Sequence, residues 1–345
     1  MTGDGMATSP GMAVAARPAR TLWLGVLFAA LAMLCAASVA IGTRDVALAD
    51  ILAALNGHRD SIGQAAVTAR IPRTVLAMLA GAALGLAGAT LQGVTRNPLA
   101  DPGLLGINMG AMLAVVIGVA WFNMASPYAY IWTAIFGAGA AAVFVYSISS
   151  RGRGKPTPLK LALAGAATSV AFASLVIAIV LPRNDIAGGI RAWQIGTVGG
   201  ATFDRIVHVL PFLAVGLAIS LLSARKLNSL ALGDELAAGL GEHVAMARAT
   251  TALGSVILCG ATTAVCGPIG FLGLGVPHLC RLLVGVDHRW LLPVSALTGA
   301  CLLIAADIVG RIIARPAELG VGVITAFVGA PVFIWIVRRQ RIREL

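Results

Sequence analysis

The chain has 345 residues, of which 59% are hydrophobic and 11% charged, and its mean hydropathy is +0.92. The apolar residues come in long runs, which excludes a soluble globular core and points to an all-α polytopic membrane protein. The net charge of +11 does not imply a nucleic-acid partner, because the basic residues sit between apolar spans, with no aromatic interleaving and no soluble domain to carry a groove.

In chain order, a tail over 1–20 leads into an apolar run, Leu22–Ile41. Arg17 and Arg20 before it, and Ser38-Val39-Ala40 at its end, have the look of a signal peptide. The run is longer than the ~7–15 residues of an h-region, so it is expected to be the first membrane helix. Nine more runs of bilayer length follow: Thr74–Thr95, Leu104–Trp121, Tyr128–Ser150, Leu161–Pro182, Ile206–Ala224, Ala249–Cys266, Phe271–Val286, Leu291–Ala314 and Val321–Val337. Residues 21–337 therefore form one membrane domain with about ten transmembrane helices, and 338–345 is a second tail.

Two connections are too long for turns. The first, Gly42 to Arg73, carries a short amphipathic pattern from Val46 to Leu55 that suits a helix on the membrane surface. The second, 225–248, sets Leu227, Leu230, Leu232, Leu236 and Leu240 among Asp234, Glu235 and Glu242. That pattern predicts a pair of short helices, whose apolar face either packs on the bundle or offers a docking surface.

Charge sets the topology. With the N-terminus inside, sixteen of the 25 basic residues lie in cytoplasmic segments and nine outside, so both termini are expected in the cytoplasm. There is also an internal echo. Gly81, Gly85 and Gly88 lead into Pro102-Gly103-Leu104-Leu105-Gly106, and the helix around Gly254 leads into Pro268-Ile269-Gly270-Phe271-Leu272-Gly273, at opposite ends as an inverted repeat requires.

The side chains offer no catalytic centre. Asp307 is the one acid well inside a span, four residues before Arg311, which predicts an i,i+4 ion pair. The histidines at 58, 208, 243, 278 and 288 fall in separate segments, and Cys35, Cys259, Cys266, Cys280 and Cys301 lie inside apolar runs without metal or disulfide spacing. No metal site is expected. No P-loop occurs, so any ATP and Mg belong to another chain. An ion-coupled transporter or channel would want a buried acid relay, and Asp307 alone does not make one.

The stretch "NPLADPGLLGINMG" (97–110) breaks this pattern. Pro98 ends the second span, and Asp101 followed by Pro102 reads as the cap and first turn of the third, so the break is a joint at the inner mouth.

Five stretches resemble one family: 69–106 with "ARIPRTVLAMLAGAALGLAGATLQGVTRNPLADPGLLG", 161–167 "LALAGAA", 230–241 "LALGDELAAGLG", 267–293 "GPIGFLGLGVPHLCRLLVGVDHRWLLP" and 306–337 "ADIVGRIIARPAELGVGVITAFVGAPVFIWIV". Together they are similar to the FecCD-type permeases of bacterial ABC importers for iron complexes and cobalamin. The resemblance implies a type II importer permease with inverted-repeat-like halves in the bacterial inner membrane. It further implies a non-enzymatic subunit, working as two copies with two ATP-binding subunits and a periplasmic binding protein.

The resemblance also implies roles. Leu232, Gly233, Asp234, Glu235, Ala238, Leu240 and Gly241 match the coupling helices that sit on the ATPase. Arg70, Arg73 and Arg311 match cations that face acidic residues of the binding protein. Asn97 and Leu99 match the cytoplasmic gate, with Pro158 and Leu159 helping to close it. Arg183 and Asn184 match the periplasmic end of the pathway, with Thr168 as a polar lining residue. Haem is the cargo expected first, since its propionates would suit Arg183; ferric siderophores and cobalamin are the alternatives.

Overall fold

The computed structural model describes residues 17–103, 105–151 and 158–341, and all regular structure among them is helical. Helix α1 is Arg17–Ala40, α2 Leu48–Leu55, α3 Ile62–Thr95, α4 Ile107–Phe122, α5 Pro127–Ser149, α6 Pro158–Val180 and α7 Asn184–Gln194. Then come α8 Phe203–Leu222, α9 Ala224–Ala231, α10 Asp234–Gly239, α11 Val244–Cys266, α12 Leu272–Val284, α13 His288–Ile313 and α14 Val321–Arg341. Seven of these, α1, α3, α5, α6, α8, α11 and α13, are long and apolar enough to cross a membrane, and α4, α12 and the apolar part of α14 are shorter. Every expected span thus falls on a helix.

Helix α3 is the central element and is much longer than its apolar run. It starts at Ile62, twelve residues before the expected Thr74, because Ser61 and Gln64 form a capping box: the Ser61 hydroxyl accepts from the Gln64 N–H at 3.1 Å, and the Gln64 side chain accepts from the Ser61 N–H at 3.4 Å. Apolarity alone hides this beginning, since the extra turns carry Gln64, Arg70, Pro72 and Arg73. At the other end Arg96 takes a left-handed conformation at φ 49° and stops the helix before Pro98.

α3 packs extensively against α13, from Arg73 beside Asp307 to Gly93 beside His288. Contact is backbone to backbone: a methyl on Gly81 would strike the Gly299 carbonyl, and one on Gly299 would strike that of Gly81. In lipid, where hydrophobic burial between helices gains little, such close approach is what holds helices together. Leu291, Leu292, Leu303 and Ile304 of α13 are buried beside this seam.

Two half-length helices follow long ones. α4 begins at Ile107, after the break at 96–106, and α12 begins at Leu272, after the break at 267–271. Thirteen residues rise only ~20 Å, less than the ~30 Å hydrocarbon core, so the α12 path is completed by non-helical backbone inside the bundle. Such backbone is tolerated where protein satisfies it. Thr197 N–H donates to Cys266 O at 2.8 Å, and Asn108 Nδ2 donates to Ile269 O at 3.3 Å, so the two breaks meet. The expectation that Asp101 and Pro102 start the third span needs correction. Asp101 Oδ1 accepts the Gly103 N–H at 2.7 Å and caps an isolated turn, and Gly106 at φ 76° separates that turn from α4.

The amphipathic helix expected after the first span is α2, with Leu48, Leu52 and Leu55 exposed along it. Helix α7 has no counterpart among the expected elements; Gly188 and Gly189 within it weaken its helical signal.

Candidate transport and coupling sites

Three places carry polar chemistry. The first is the end of the bundle where α3 and α13 bring arginines together. Asp307, 1% exposed, accepts from Arg73 Nε (3.0 and 3.1 Å) and Nη2 (2.8 Å), and pairs with Arg311 Nη2 at 3.0 Å. The i,i+4 pair expected from the sequence is therefore present, inside a larger cluster in which Arg73 Nη1 also holds Glu318 at 2.6 Å.

The remaining arginine hydrogens cap α1. Arg70 donates to Val39 O (3.1 Å), Ala40 O (2.9 Å) and Arg44 O (2.7 Å). Arg311 donates to Ser38 O (3.0 Å), Ile41 O (3.1 Å) and Ser38 Oγ (2.7 Å). Arg315 donates to Gly42 O. A helix ends with carbonyls that lack intrahelical partners and with a partial negative charge, and guanidinium groups answer both.

This changes how the three expected docking cations must be read. Arg70, Arg73 and Arg311 are 7%, 9% and 1% exposed, and their forks are occupied within the chain, so they are not free hooks for a partner's carboxylates. Their burial follows from the length of α3: Arg70 and Arg73 lie on a helix packed against α1 and α13, not in a loop. They nevertheless line, with Arg44 and Glu318, a cavity of about 270 Å³. The local charge there remains positive.

The second place is where the two breaks meet. A cavity of about 530 Å³ is lined by Gly103, Asn108, Met109, Gln194, Pro268 and Phe327, among others. Asn108 is buried and its Oδ1 has no partner among the described residues. Sequence reading missed Asn108 and Gln194, whose only signal is a polar side chain beside a break.

The predicted pathway residues are placed around this region without forming one cluster. Thr168 is buried and its hydroxyl donates to Ala164 O at 2.7 Å, a back-bond within α6. Its neighbour Ser169 donates instead to Gly103 O at 3.2 Å. Arg183 is engaged: Nε and Nη2 hold Asp185 at 3.0 and 2.8 Å, and Nη1 donates to Ala120 O at 2.8 Å. The Asp185 hydrogen bond raises the Arg183 pKa, and the same bond lowers that of Asp185. Arg183 is thus paired with Asp185, two residues on, in a solvent-exposed ion pair. Asn184 is exposed.

At the gate, Asn97 Oδ1 accepts the Leu99 N–H at 3.0 Å, which fixes the turn after α3. Asn97 and Leu99 are half-buried, Leu159 is 68% exposed, and the Pro158 side chain lies outside the described residues.

The third place is the helix pair α9–α10, at the far end of α3 from the arginine cluster. The expected apolar face divides. Leu227 and Leu230 are buried against the bundle, whereas Leu232, Leu236 and Leu240 are 57%, 62% and 67% exposed. Gly233 (φ 108°) and Gly241 (φ 87°) bracket α10 in conformations other residues rarely adopt. Asp234 opens α10 and is held by Arg248 at 2.7 Å and Arg96 at 3.3 Å, while Glu235 and Ala238 stay exposed.

The long helix followed by a break and a half-length helix, twice, on an all-helical membrane bundle, asks which known proteins share it. The FecCD transport family profile matches residues 29–339. The chain belongs to the FecCD transport family. Among relatives of this family, the ferric enterobactin transport system permease protein FepD of Escherichia coli K12 is 42% identical over 307 residues, covering 88% of this chain and 91% of FepD. The hemin transport system permease protein HmuU of Yersinia pestis is 38% identical over 275 residues, covering 79% and 82%. A solved structure described as an inward-facing conformation of a metal-chelate type ABC transporter superposes with a TM-score of 0.78 at 27% identity, covering 92% of this chain and 99% of that one. The fold is that of a type II ABC importer permease. As a permease subunit, this multi-pass membrane chain is not itself an enzyme.

Proposed function

We propose that this chain is the permease subunit of an ATP-driven importer that carries an iron chelate from the periplasm to the cytoplasm, with a ferric siderophore as the cargo. The observation that carries this reading is the 42% identity over 88% of the chain to the ferric enterobactin permease. The exposed pairing of Arg183 with Asp185 weakens the charge argument for haem propionates, and the resemblance to the hemin permease keeps haem as the second reading.

In this reading α9 and α10 face the cytoplasm and dock on ATP-hydrolysing subunits through Leu232, Leu236 and Leu240, which are apolar, exposed and set on a short rigid helix. The arginine end then faces the periplasm. There an acidic side chain of the binding protein enters the cavity beside Arg44, and the excess positive charge steers it. Two copies of the chain enclose the pathway, and the cavity where the breaks meet contributes polar groups, Asn108 and Gln194, to its wall. The turn at Asn97 and Leu99 closes the cytoplasmic mouth with the start of α6. ATP and Mg are bound by the partner subunit, and both termini lie in the cytoplasm.

The test has two arms. Vesicles carrying the chain with its ATPase and binding protein should accumulate the iron chelate only with ATP; accumulation on an ion gradient alone would overturn the importer reading. Spectroscopic titration of the binding protein with ferric enterobactin, ferric citrate and hemin decides the cargo, and tight binding of hemin alone would replace the siderophore.

A further inference from the structure

Helix α9 is joined to the start of α13 by the side chain of Asn228, and to α11 by Lys226, whose Nζ donates to Thr250 Oγ1 at 3.4 Å. Asn228 lies between Leu227 and Leu230, two side chains that the bundle buries, and faces the first residues of α13. Its Nδ2 donates to Asp287 Oδ1 at 2.7 Å, and its Oδ1 accepts the His288 backbone N–H at 2.9 Å. The same oxygen lies 2.9 Å from His288 Nδ1; since an amide oxygen only accepts, that ring nitrogen carries the proton.

Asp287 is the N-cap of α13 and accepts the Arg289 N–H at 3.0 Å. The helix start therefore has its first free N–H satisfied from α9 and the next by its own cap. An amide that grips both the cap carboxylate and the first helical N–H fixes two points of α13 at once.

The grip extends to α3. His288 Nε2 and Leu227 Cδ2 crowd Gly93 so closely that a methyl there would lie 2.7 and 2.8 Å from them. Gly93 stands in the last turn of α3, three residues before Arg96, which itself reaches Asp234 of α10. From this point α3 and α13 run together to Arg73 and Asp307 at the opposite end.

We propose that Asn228 is a positioning residue that fixes α9 and α10 to the start of α13, so that a push on this helix pair moves α3 and α13 as one body. The inference rests on the importer reading, which makes α9–α10 the surface that receives the push. Its physical basis is that a two-point hydrogen-bonded cap beside a contact with no free space transmits displacement without slack.

The experiment uses the complete complex of permease and ATPase in a cysteine-free background, with spin labels at Arg225 of α9 and Val309 of α13, both exposed. In the unaltered complex the distance between labels should be one narrow distribution, the same with and without nucleotide. With Asn228→Ala, ATP hydrolysis should persist while the distance becomes nucleotide-dependent and transport per ATP falls about tenfold. Combining Asn228→Asp with Asp287→Asn restores a donor and an acceptor between the two side chains, and should restore the narrow distance.

A label distance that changes with nucleotide in the unaltered complex would overturn the proposal, as would one that stays fixed in Asn228→Ala. Loss of assembly in Asn228→Ala, unrescued by the paired exchange, would reduce Asn228 to a helix cap and overturn it too. Failure of the ATPase to copurify with the unaltered chain would instead strike the importer reading itself.

Discussion

Arg96, the C-cap of α3, reaches across to Asp234, the first residue of α10, with Nη2 3.3 Å from Oδ1. Arg248 holds the same carboxylate oxygen at 2.7 Å. One half-buried aspartate therefore ties α10 to the turn that precedes the Asn97 joint.

Because all three side chains are about a third exposed or more, this link should contribute little to folding. Exposed ion pairs are worth ~0.2–1 kcal/mol. Asp234→Ala should leave the thermal unfolding temperature of the purified chain nearly unchanged while weakening capture of the ATPase subunit, measured by copurification. Unimpaired capture would remove Asp234 from the docking surface.

Asp307 should behave in the opposite way. It is buried and accepts from two arginines, so its removal leaves the buried Arg311 without its carboxylate partner and Arg73 with Glu318 alone. Breaking a buried pair from one side costs ~3–5 kcal/mol. Asp307→Ala should lower the unfolding temperature in detergent sharply or abolish membrane accumulation, with Asp307→Asn less severe because it keeps an acceptor. An Asp307→Ala chain as stable as the original would show that the cluster is not structural.

Glycines at two places should give contrasting results. Gly81→Val forces α3 away from the Gly299 carbonyl and should cost stability, of the order of ~1–3 kcal/mol expected for overpacking. Gly188→Ala in α7 meets nothing within 4 Å, and Gly lowers helix stability by ~1 kcal/mol relative to Ala. Gly188→Ala should therefore raise protection of α7 backbone amides in hydrogen exchange. Equal effects of the two substitutions would refute the packing geometry.

Charge reversal tests the cavity at the arginine end. Arg44 lines it and is exposed, so Arg44→Glu should weaken association with the binding protein without unfolding the chain, and the loss should shrink as salt is raised. Reversal at Arg70 or Arg73 should instead destabilise the bundle, because these side chains are committed to α1 and Asp307.

Much of this architecture is legible in the sequence, and the rest is hidden for definite reasons. Apolar runs located all ten spans because lipid demands them, and the Asp307–Arg311 pair was visible because it lies on one helix face. The first three turns of α3 were not, since a capping box and an internal proline sit where hydropathy falls. Asn228, Glu318 and the Arg96–Asp234 pair escaped notice because their partners lie 60, 245 and 138 residues away in the chain. The three arginines were seen as important, but not as buried: charge on a helix near a membrane boundary reads as surface until the carbonyls it serves are known.

Those carbonyls bear on how the protein is made. α1 precedes α13 in the chain, yet the Ser38 and Ile41 oxygens at its end bond Arg311, 273 and 270 residues later. Until α13 has been inserted, the nascent chain holds an end of α1 capped by Arg70 alone and an unpaired Arg73 at that boundary. The arginine end therefore cannot close before α13 is in place. A chain that stops short of Arg311 is accordingly an unfinished fold, open to recognition by membrane quality-control proteases.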